Sequence, residues 1–265
     1  MSSAVRKTST LVQSSRMISE NICELILVYP AGERPEEAVP GQFVMIYPRD
    51  GIHMLGRPIS VCGYDPLTGA LRLVFRTAGA GTKELAALKA GEHVDVLGLL
   101  GNGYPMEELR TRKSEGAKIA LIGGGIGIPP MLELARQLPG CHAVLGYRTN
   151  DLFLYDEFEE YAVTAAATED GSAGTKGTVL DVLKQDKAPD LICACGPLPM
   201  LRAIKQYAEE NGAGAFVSLE ERMACGVGVC LGCVCTTTHK DEHSQVHRAR
   251  VCTEGPVFRA EDVAI

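Results

Sequence analysis

The chain has 265 residues, of which 46% are apolar, and its formal net charge is −7 at pH 7. This composition predicts a folded globular protein, and a negative charge without any lysine or arginine run argues against a nucleic-acid-binding protein. No apolar segment is long enough to span a membrane and no secretion signal is recognisable, so we expect a cytoplasmic protein that binds no membrane.

The first 112 residues have the pattern of a series of short strands. Five segments rich in β-branched and aromatic residues are separated by proline, glycine and aspartate: ELILVYP, GQFVMIYP, RPISVCGY, GALRLVFRT and HVDVLGLLG. This spacing is typical of a barrel or sandwich, and we expect an antiparallel β-barrel domain over residues 1–112. One helix is predicted in it, over residues 82–91, with Gly91 as its C-terminal stop. Roughly the first fifteen residues match no pattern and are expected to be disordered.

Residues 111–118, TRKSEGAK, are predicted to form a charged linker, after which strand and helix patterns alternate. The predicted strands are KIALIGGG, CHAVLGYRT, YAVTAAAT, LICACGP and GAFVSLE, and the predicted helices are IPPMLELARQL, EFEEYA, TVLDVLKQ and PMLRAIKQYAEENG. Such alternation indicates a parallel sheet with crossover helices, so residues 113–214 are expected to form an α/β domain. Residues 215–265 are rich in glycine and cysteine and are expected to form a small metal-binding module. The expected fold class is a multi-domain α+β protein.

Two short segments of the barrel domain suggest a phosphate site. The first is Arg57-Pro58-Ile59-Ser60, on a predicted strand, and the second is Gly79-Ala80-Gly81-Thr82, just before the predicted helix. An R-x-x-S pattern alone is common and also fits an exposed arginine beside a strand. A helix start lined by glycine offers free N–H groups to an anion, and an arginine offers a fork of donors. Together these features suit the pyrophosphate of a dinucleotide.

Two turns of the α/β domain suggest a nucleotide site. Gly123, Gly124, Gly125 and Gly127 follow a buried strand, although Ile128 stands where the usual G-x-G-x-x-G fingerprint has its third glycine. A merely tight turn is the alternative. Cys195-Gly196-Pro197 follows another strand and belongs to the same carboxyl edge, where ligands bind in open α/β sheets.

The ten cysteines are unevenly placed. Five lie in apolar surroundings and are expected to be inert thiols: Cys23, Cys62, Cys141, Cys193 and Cys195. The other five lie between residues 225 and 252, in the spacing C-x4-C-x2-C followed by eighteen residues and Cys252. This is the spacing of plant-type [2Fe–2S] proteins, and Gly226, Gly228 and Gly232 are expected to adopt positive φ around the cluster. A structural zinc site is the alternative, and spacing alone does not decide between Cys235 and Cys252 as the fourth ligand.

The order RPIS, GAGT, GGGIG and CGP resembles the ferredoxin–NADP reductase superfamily. The C-terminal segments ERMACGVGVCLGCVC and RVCTEGPVF closely resemble the electron-transfer subunits of type B dihydroorotate dehydrogenases, and the resemblance extends from about residue 18 to the end. It implies FAD, NAD and a [2Fe–2S] cluster as cofactors, and an FMN-containing catalytic subunit as partner, with two copies of each. Electrons would pass from that subunit through the cluster and FAD to NAD⁺, in pyrimidine biosynthesis.

The resemblance also implies which residues bind each cofactor, and none of them is catalytic in its own right. The FAD residues are Arg57, Pro58, Ile59, Ser60, Val74, Phe75, Arg76, Gly81 and Thr82. The nicotinamide nucleotide residues are Gly123, Gly124, Gly125, Gly127, Cys195, Gly196 and Pro197. The cluster ligands are Cys225, Cys230, Cys233 and Cys252. NAD is expected rather than NADP, because no arginine-rich group follows GYRTN to meet a 2′-phosphate.

Two other functions are compatible with the sequence. The small subunit of a sulfide dehydrogenase or of a ferredoxin–NADP transhydrogenase would combine the same three modules. A zinc-stabilised binding module without enzymatic activity would use the same cysteines differently.

Overall fold

The computed structural model describes residues 5–48, 54–240 and 245–265. Six strands of this part close into a barrel in the order β1-β2-β5-β4-β3-β6, in which neighbouring strands are antiparallel. They are β1 (Lys7–Ser19), β2 (Ile22–Val28), β3 (Phe43–Tyr47), β4 (Arg57–Asp65), β5 (Ala70–Arg76) and β6 (His93–Leu100), and helix α1 (Ala80–Ala86) follows β5. The predicted barrel is therefore confirmed.

The expectation of a disordered N-terminus is wrong for the described part of it. Strand β1 begins at Lys7 and closes the barrel by pairing with both β2 and β6. Its inward positions are Thr8, Thr10 and Val12, and the Thr10 hydroxyl donates a hydrogen bond to the Val94 carbonyl, 2.9 Å away. Two buried threonines remove the apolar alternation that identifies a strand in a sequence. Residues 1–4 of the same prediction lie outside the described residues.

Helix boundaries in the barrel domain also differ from the prediction. Helix α1 ends at Ala86, and Gly91 is not its stop: the Gly91 N–H donates to the Val12 carbonyl of β1, 2.9 Å away. Helix α2 (Met106–Ser114) extends into the first four residues of the predicted linker and has a single buried residue, Leu109. Acidic residues in its first turn and basic residues in its last turn match the helix dipole.

The second sheet has the order β10-β9-β8-β7-β11-β12-β15, and the predicted parallel arrangement is confirmed for its first six strands. In chain order the elements are β7 (Ile119–Gly124), α3 (Ile128–Gln137), β8 (His142–Tyr147), α4 (Tyr155–Glu159), β9 (Val163–Thr168), β10 (Thr175–Lys176), α5 (Val179–Leu183), β11 (Leu191–Cys195), α6 (Leu198–Asn211) and β12 (Gly214–Ser218). The division of the chain at residues 112 and 214 stays a prediction, and α2 extends across the first of these limits.

The C-terminal module contacts both larger units. It contains β13 (Val234–Thr236), β14 (Arg248–Arg250) and β15 (Val257–Arg259). Strand β15 pairs antiparallel with β12, so the module adds an edge strand to the parallel sheet. On the barrel side, the Asn102 side-chain amide donates to the carbonyls of Thr253 and Glu254, at 3.1 and 3.2 Å. The module is thereby attached to the sheet and the barrel at once.

Charged residues join the barrel to the α/β domain. Arg72 of β5 donates to the Glu24 carboxylate of β2 at 2.8 Å and to both carboxylate oxygens of Glu157 in α4, at 2.5 and 2.7 Å. Glu24 is almost fully buried and also accepts a hydrogen bond from Arg16. A second contact runs from α3, where Arg136 donates to the Tyr64 carbonyl of β4.

Candidate functional site

The two predicted phosphate-binding segments of the barrel meet in space. Arg57, at the start of β4, lies directly against Gly81 of α1: a methyl group on Gly81 would lie 2.5 Å from the Arg57 Nε atom. The Arg57 side chain is held from the other side, because its Nη1 donates to the Leu55 carbonyl at 2.7 Å. Thr82 Oγ1 accepts a hydrogen bond from the Gly79 N–H at 3.1 Å. Only glycine at position 81 leaves space for the guanidinium, so the arrangement fits a pyrophosphate held by Arg57.

The remaining flavin candidates divide between the two faces of the barrel wall. Ile59 and Phe75 are buried in the barrel core, so only their backbone is available to a ligand. Pro58 and Ser60 lie on the opposite face, since residues directly across an antiparallel pair share a face and these two pair with Met45 and Phe43. The candidate flavin residues Pro58 and Ser60 therefore share their side of the barrel wall with Phe43 and Met45.

Strand β5 brings its flavin candidates to the α/β domain. Val74 packs in the apolar core of that domain. The Arg76 guanidinium lies beside Gly125, at 3.6 Å from the position of a methyl group on that glycine. Gly125 itself has φ +52°, which favours glycine. The candidate FAD segment and the candidate nucleotide turn are thus neighbours, as hydride exchange between their ligands requires.

The two nucleotide turns pack against each other. Gly123 and Cys195 are paired across β7 and β11, and a side chain at Gly127 would overlap the Cys195 carbonyl. Burial raises the pKa of the Cys195 thiol to about 12, so it is a neutral thiol at physiological pH. Sequence reasoning missed Met200, whose side chain lies over both Gly124 and Gly196. Its position three residues after Pro197, in the first turn of α6, was the available signal.

The cysteine loop, residues 225–233, holds its thiols with backbone N–H groups. Val227 and Cys230 donate to the Cys225 sulfur at 3.4 Å, and Gly228 donates to the Cys252 sulfur at 3.2 Å. The Gly232 N–H donates to the Cys230 sulfur at 3.4 Å. Such donors stabilise a negatively charged iron–sulfur centre, so the donor set fits a cluster.

The Cys225 thiol interacts with Cys230, and the Cys252 thiol interacts with Cys233. Burial disfavours ionisation of Cys225, but the backbone hydrogen bonds outweigh it and lower its pKa to about 6, with a contribution from a hydrogen bond to Cys230. Burial, together with the adjacent Cys233 sulfur, raises the pKa of Cys252 to about 11. A two-iron cluster takes two thiolates on each iron, which matches the pairs Cys225–Cys230 and Cys233–Cys252. Among the described residues, no group of three or more histidine, cysteine, aspartate or glutamate side chains is arranged to hold a metal ion.

Cys235, the other candidate for the fourth ligand, is placed differently. It lies in β13 opposite Ala249, and burial raises its pKa. The Cys252 sulfur, in contrast, accepts a hydrogen bond from the Gly228 N–H of the cysteine loop at 3.2 Å and lies next to Cys233. The contacts therefore favour Cys252.

The expected glycine conformations in the loop are right at two positions of three. Gly226 and Gly228 have φ of +71° and +80°, as expected for a chain that turns tightly around a cluster. Gly232 does not have positive φ; Leu231, with φ +57°, makes the turn in its place. A methyl group on Gly232 would instead lie 3.4 Å from the Cys230 sulfur.

Comparisons with known proteins agree with this site. The sequence model of the iron–sulfur cluster binding domain of dihydroorotate dehydrogenase B matches residues 220–264. The electron transfer subunits of dihydroorotate dehydrogenase B (NAD(+)) from Bacillus cereus and Bacillus anthracis are each 42% identical to the chain, over 98% of its length and 100% of theirs.

Solved structures share the same architecture. A chain of an NADH-dependent reduced ferredoxin–NADP oxidoreductase is 29% identical, with a TM-score of 0.80, over 100% of this chain and 91% of that chain. A ferredoxin–NADP⁺ reductase from Neisseria gonorrhoeae with bound FAD and NADP is 15% identical, with a TM-score of 0.62, over 78% and 92%, and shows the fold alone. No helix in the described part of the chain is long and apolar enough to cross a membrane. Because the chain is 42% identical to the Bacillus relatives over nearly its full length, and its residues 220–264 match the cluster-binding domain, it belongs to the family of dihydroorotate dehydrogenase B electron-transfer subunits.

Proposed function

We propose that the chain passes electrons from an FMN-containing dihydroorotate dehydrogenase subunit, through a [2Fe–2S] cluster and FAD, to NAD⁺ in pyrimidine biosynthesis. The main observation behind this proposal is the cysteine loop, in which the cysteine sulfurs accept hydrogen bonds from backbone N–H groups. The names of the Bacillus relatives support it, because they describe electron transfer subunits that use NAD(+).

The residues of the chain bind and orient the cofactors. Arg57, Gly81 and Thr82 would hold the FAD pyrophosphate, Pro58 and Ser60 would border the flavin ring, and Ile59, Val74, Phe75 and Arg76 would complete the site. Gly123, Gly124, Gly125, Gly127, Cys195, Gly196 and Pro197 would hold the nicotinamide nucleotide, and Cys225, Cys230, Cys233 and Cys252 the cluster. When bound, FAD exchanges a hydride with the nicotinamide and single electrons with the cluster, so it joins two-electron to one-electron chemistry.

The partner would meet the cysteine loop, in an assembly of two copies of each subunit. Val229 and Leu231 are 80% and 62% exposed, and Cys230 between them is exposed as well. An apolar surface at a sulfur ligand suits a protein partner that excludes water from the electron path. Dihydroorotate oxidation needs a base, which the catalytic subunit would supply.

A second function is favoured by one observation. The 29% identity to a chain of an NADH-dependent reduced ferredoxin–NADP oxidoreductase extends over the whole of this chain. That relative belongs to a bifurcating enzyme, and its likeness supports the transhydrogenase alternative. The 42% identity to the dihydroorotate dehydrogenase subunits favours the first proposal.

The decisive experiment uses the purified chain with its cofactors and the catalytic subunit. Alone, the chain should contain flavin, iron and acid-labile sulfide, and should reduce artificial acceptors with NADH but fail to oxidise dihydroorotate. With the catalytic subunit added, dihydroorotate should reduce NAD⁺. A colourless, zinc-containing protein would contradict the proposal, and so would full dihydroorotate oxidation by the chain alone. Exchange of electrons between ferredoxin and NADPH, without any response to the catalytic subunit, would establish the alternative.

A further inference from the structure

Strand β3 lies between the cysteine loop and the candidate flavin segment, and its side chains alternate between two apolar clusters. Val44 and Ile46 pack in the barrel core. Phe43 and Met45 point the other way and share an apolar cluster with Cys233 and Cys252. Because Met45 is directly opposite Pro58 in β4, its side chain is on the same face as the candidate flavin residues.

Met45 contacts both sides of this region. A methyl group on Gly226 of the cysteine loop would lie 2.7 Å from Met45 Cγ, so the loop backbone rests on that side chain. A methyl group on Gly56, the residue before Arg57, would lie 3.1 Å from Met45 Cε. Met45 is fully buried. One side chain thus spans from the backbone beside a cluster ligand to the backbone beside the flavin arginine.

We propose that Met45 is a positioning residue that sets the separation between the cysteine loop and the flavin-binding strand. This inference rests on the proposed function, because it takes the flavin to bind at Arg57–Ser60 and the cluster at the cysteine loop. Electron tunnelling falls off exponentially with distance, so the thickness of this packing layer controls the rate of electron exchange between the two cofactors. Hydride exchange with the nicotinamide does not pass through this layer.

The test measures that separation directly. Met45→Ala removes the side chain on which Gly226 rests, and pulsed EPR of the half-reduced protein gives the distance between the flavin and the cluster. We expect a longer or broader distance distribution in Met45→Ala. Stopped-flow absorbance should show cluster reduction slowed by about tenfold, while flavin reduction by NADH stays within about twofold of the wild type. Met45→Leu, which conserves the volume, should restore both quantities.

Val44→Ala is the matched control, because it is the next residue in β3 and faces the barrel core instead. It should lower the stability but leave the distance and the rate of cluster reduction unchanged. If a Met45→Ala protein that contains FAD and the cluster shows the wild-type flavin–cluster distance and the wild-type rate of cluster reduction, the inference is overturned. If Met45→Ala does not retain its cofactors, Met45→Val, which keeps a γ carbon beside Gly226 but lacks the Cε atom that lies beside Gly56, decides by the same two measurements. A wild-type protein without flavin or iron would overturn the proposed function instead.

Discussion

Cys235 and Cys252 differ in the groups around their sulfurs, and the difference can be measured. Cys252 accepts a hydrogen bond from Gly228 and is paired with Cys233, whereas Cys235 lies in β13 away from these contacts. We expect Cys252→Ser to lose most of its iron and acid-labile sulfide, since a two-iron centre needs four ligands. Cys235→Ser, the matched control, should retain both. Iron and sulfide analysis after anaerobic reconstitution checks the pair, and loss of the cluster in Cys235→Ser alone would reverse the assignment.

Local residue spacing predicted much of the candidate site. Three cysteines and the RPIS, GAGT, GGGIG and CGP segments were identified because a tight turn or a ligand set uses residues that are close in the chain, whereas Cys252 was assigned only through the family resemblance. Met45 and Met200 were missed for the opposite reason. Met45 contacts Gly226 and Met200 contacts Gly124, and both glycines are far away in the sequence. The position of Met200 shortly after Pro197 was the one local signal, because a methionine within an apolar run otherwise looks like ordinary core packing.

Strand β1 was not predicted from the sequence, yet its buried side chains contribute to the stability of the barrel. Val12 is fully buried in the barrel, whereas Leu11, the preceding residue, is 40% exposed. We expect Val12→Ala to lower the free energy of unfolding by about 2 kcal/mol, because it removes buried apolar surface and leaves a cavity.

Leu11→Ala is the control, and its expected effect is within about 0.5 kcal/mol. Urea unfolding followed by circular dichroism measures both variants. Equal, small effects would show that β1 adds little to the closed barrel.

The errors of prediction at this scale have one physical cause. Barrel closure by β1 depends on hydrogen bonds between distant strands, which allow buried threonines that a hydrophobicity pattern counts as surface. Helix α2 has only Leu109 buried, so it carries almost no apolar periodicity, and its last four residues were predicted to belong to a linker. The five strands predicted for the parallel sheet are all present, because both of its faces are covered, which demands continuous apolar runs; the short edge strands β10 and β15 were not predicted.

For the whole molecule, the ionic contacts of Glu24 and Arg72 give stability a dependence on pH. Burial favours the neutral form of Glu24, but hydrogen bonds and charge from Arg16 and Arg72 outweigh it and lower its pKa below the usual value. A lowered pKa in the folded state stabilises the protein above the unfolded-state pKa, and this contribution is lost as the pH falls through the folded-state pKa.

Glu24→Gln should therefore destabilise the protein by about 2 kcal/mol at pH 7, and by progressively less as the pH falls below about 4. Denaturant unfolding at a series of pH values measures this difference. Glu37→Gln, at an exposed position, is the control and should show almost no change at any pH. A destabilisation of Glu24→Gln that is independent of pH would mean that shape, not charge, explains the role of Glu24.

Strand β15 has a consequence for how the chain can be divided in the laboratory. It covers the backbone of β12 along one margin of the parallel sheet. A shortened chain that ends before the cysteine loop would leave that margin with unpaired amide and carbonyl groups, which are a template for pairing with another molecule. The C-terminal segment that carries β15 therefore also shields this margin of the parallel sheet from pairing with another copy of the chain.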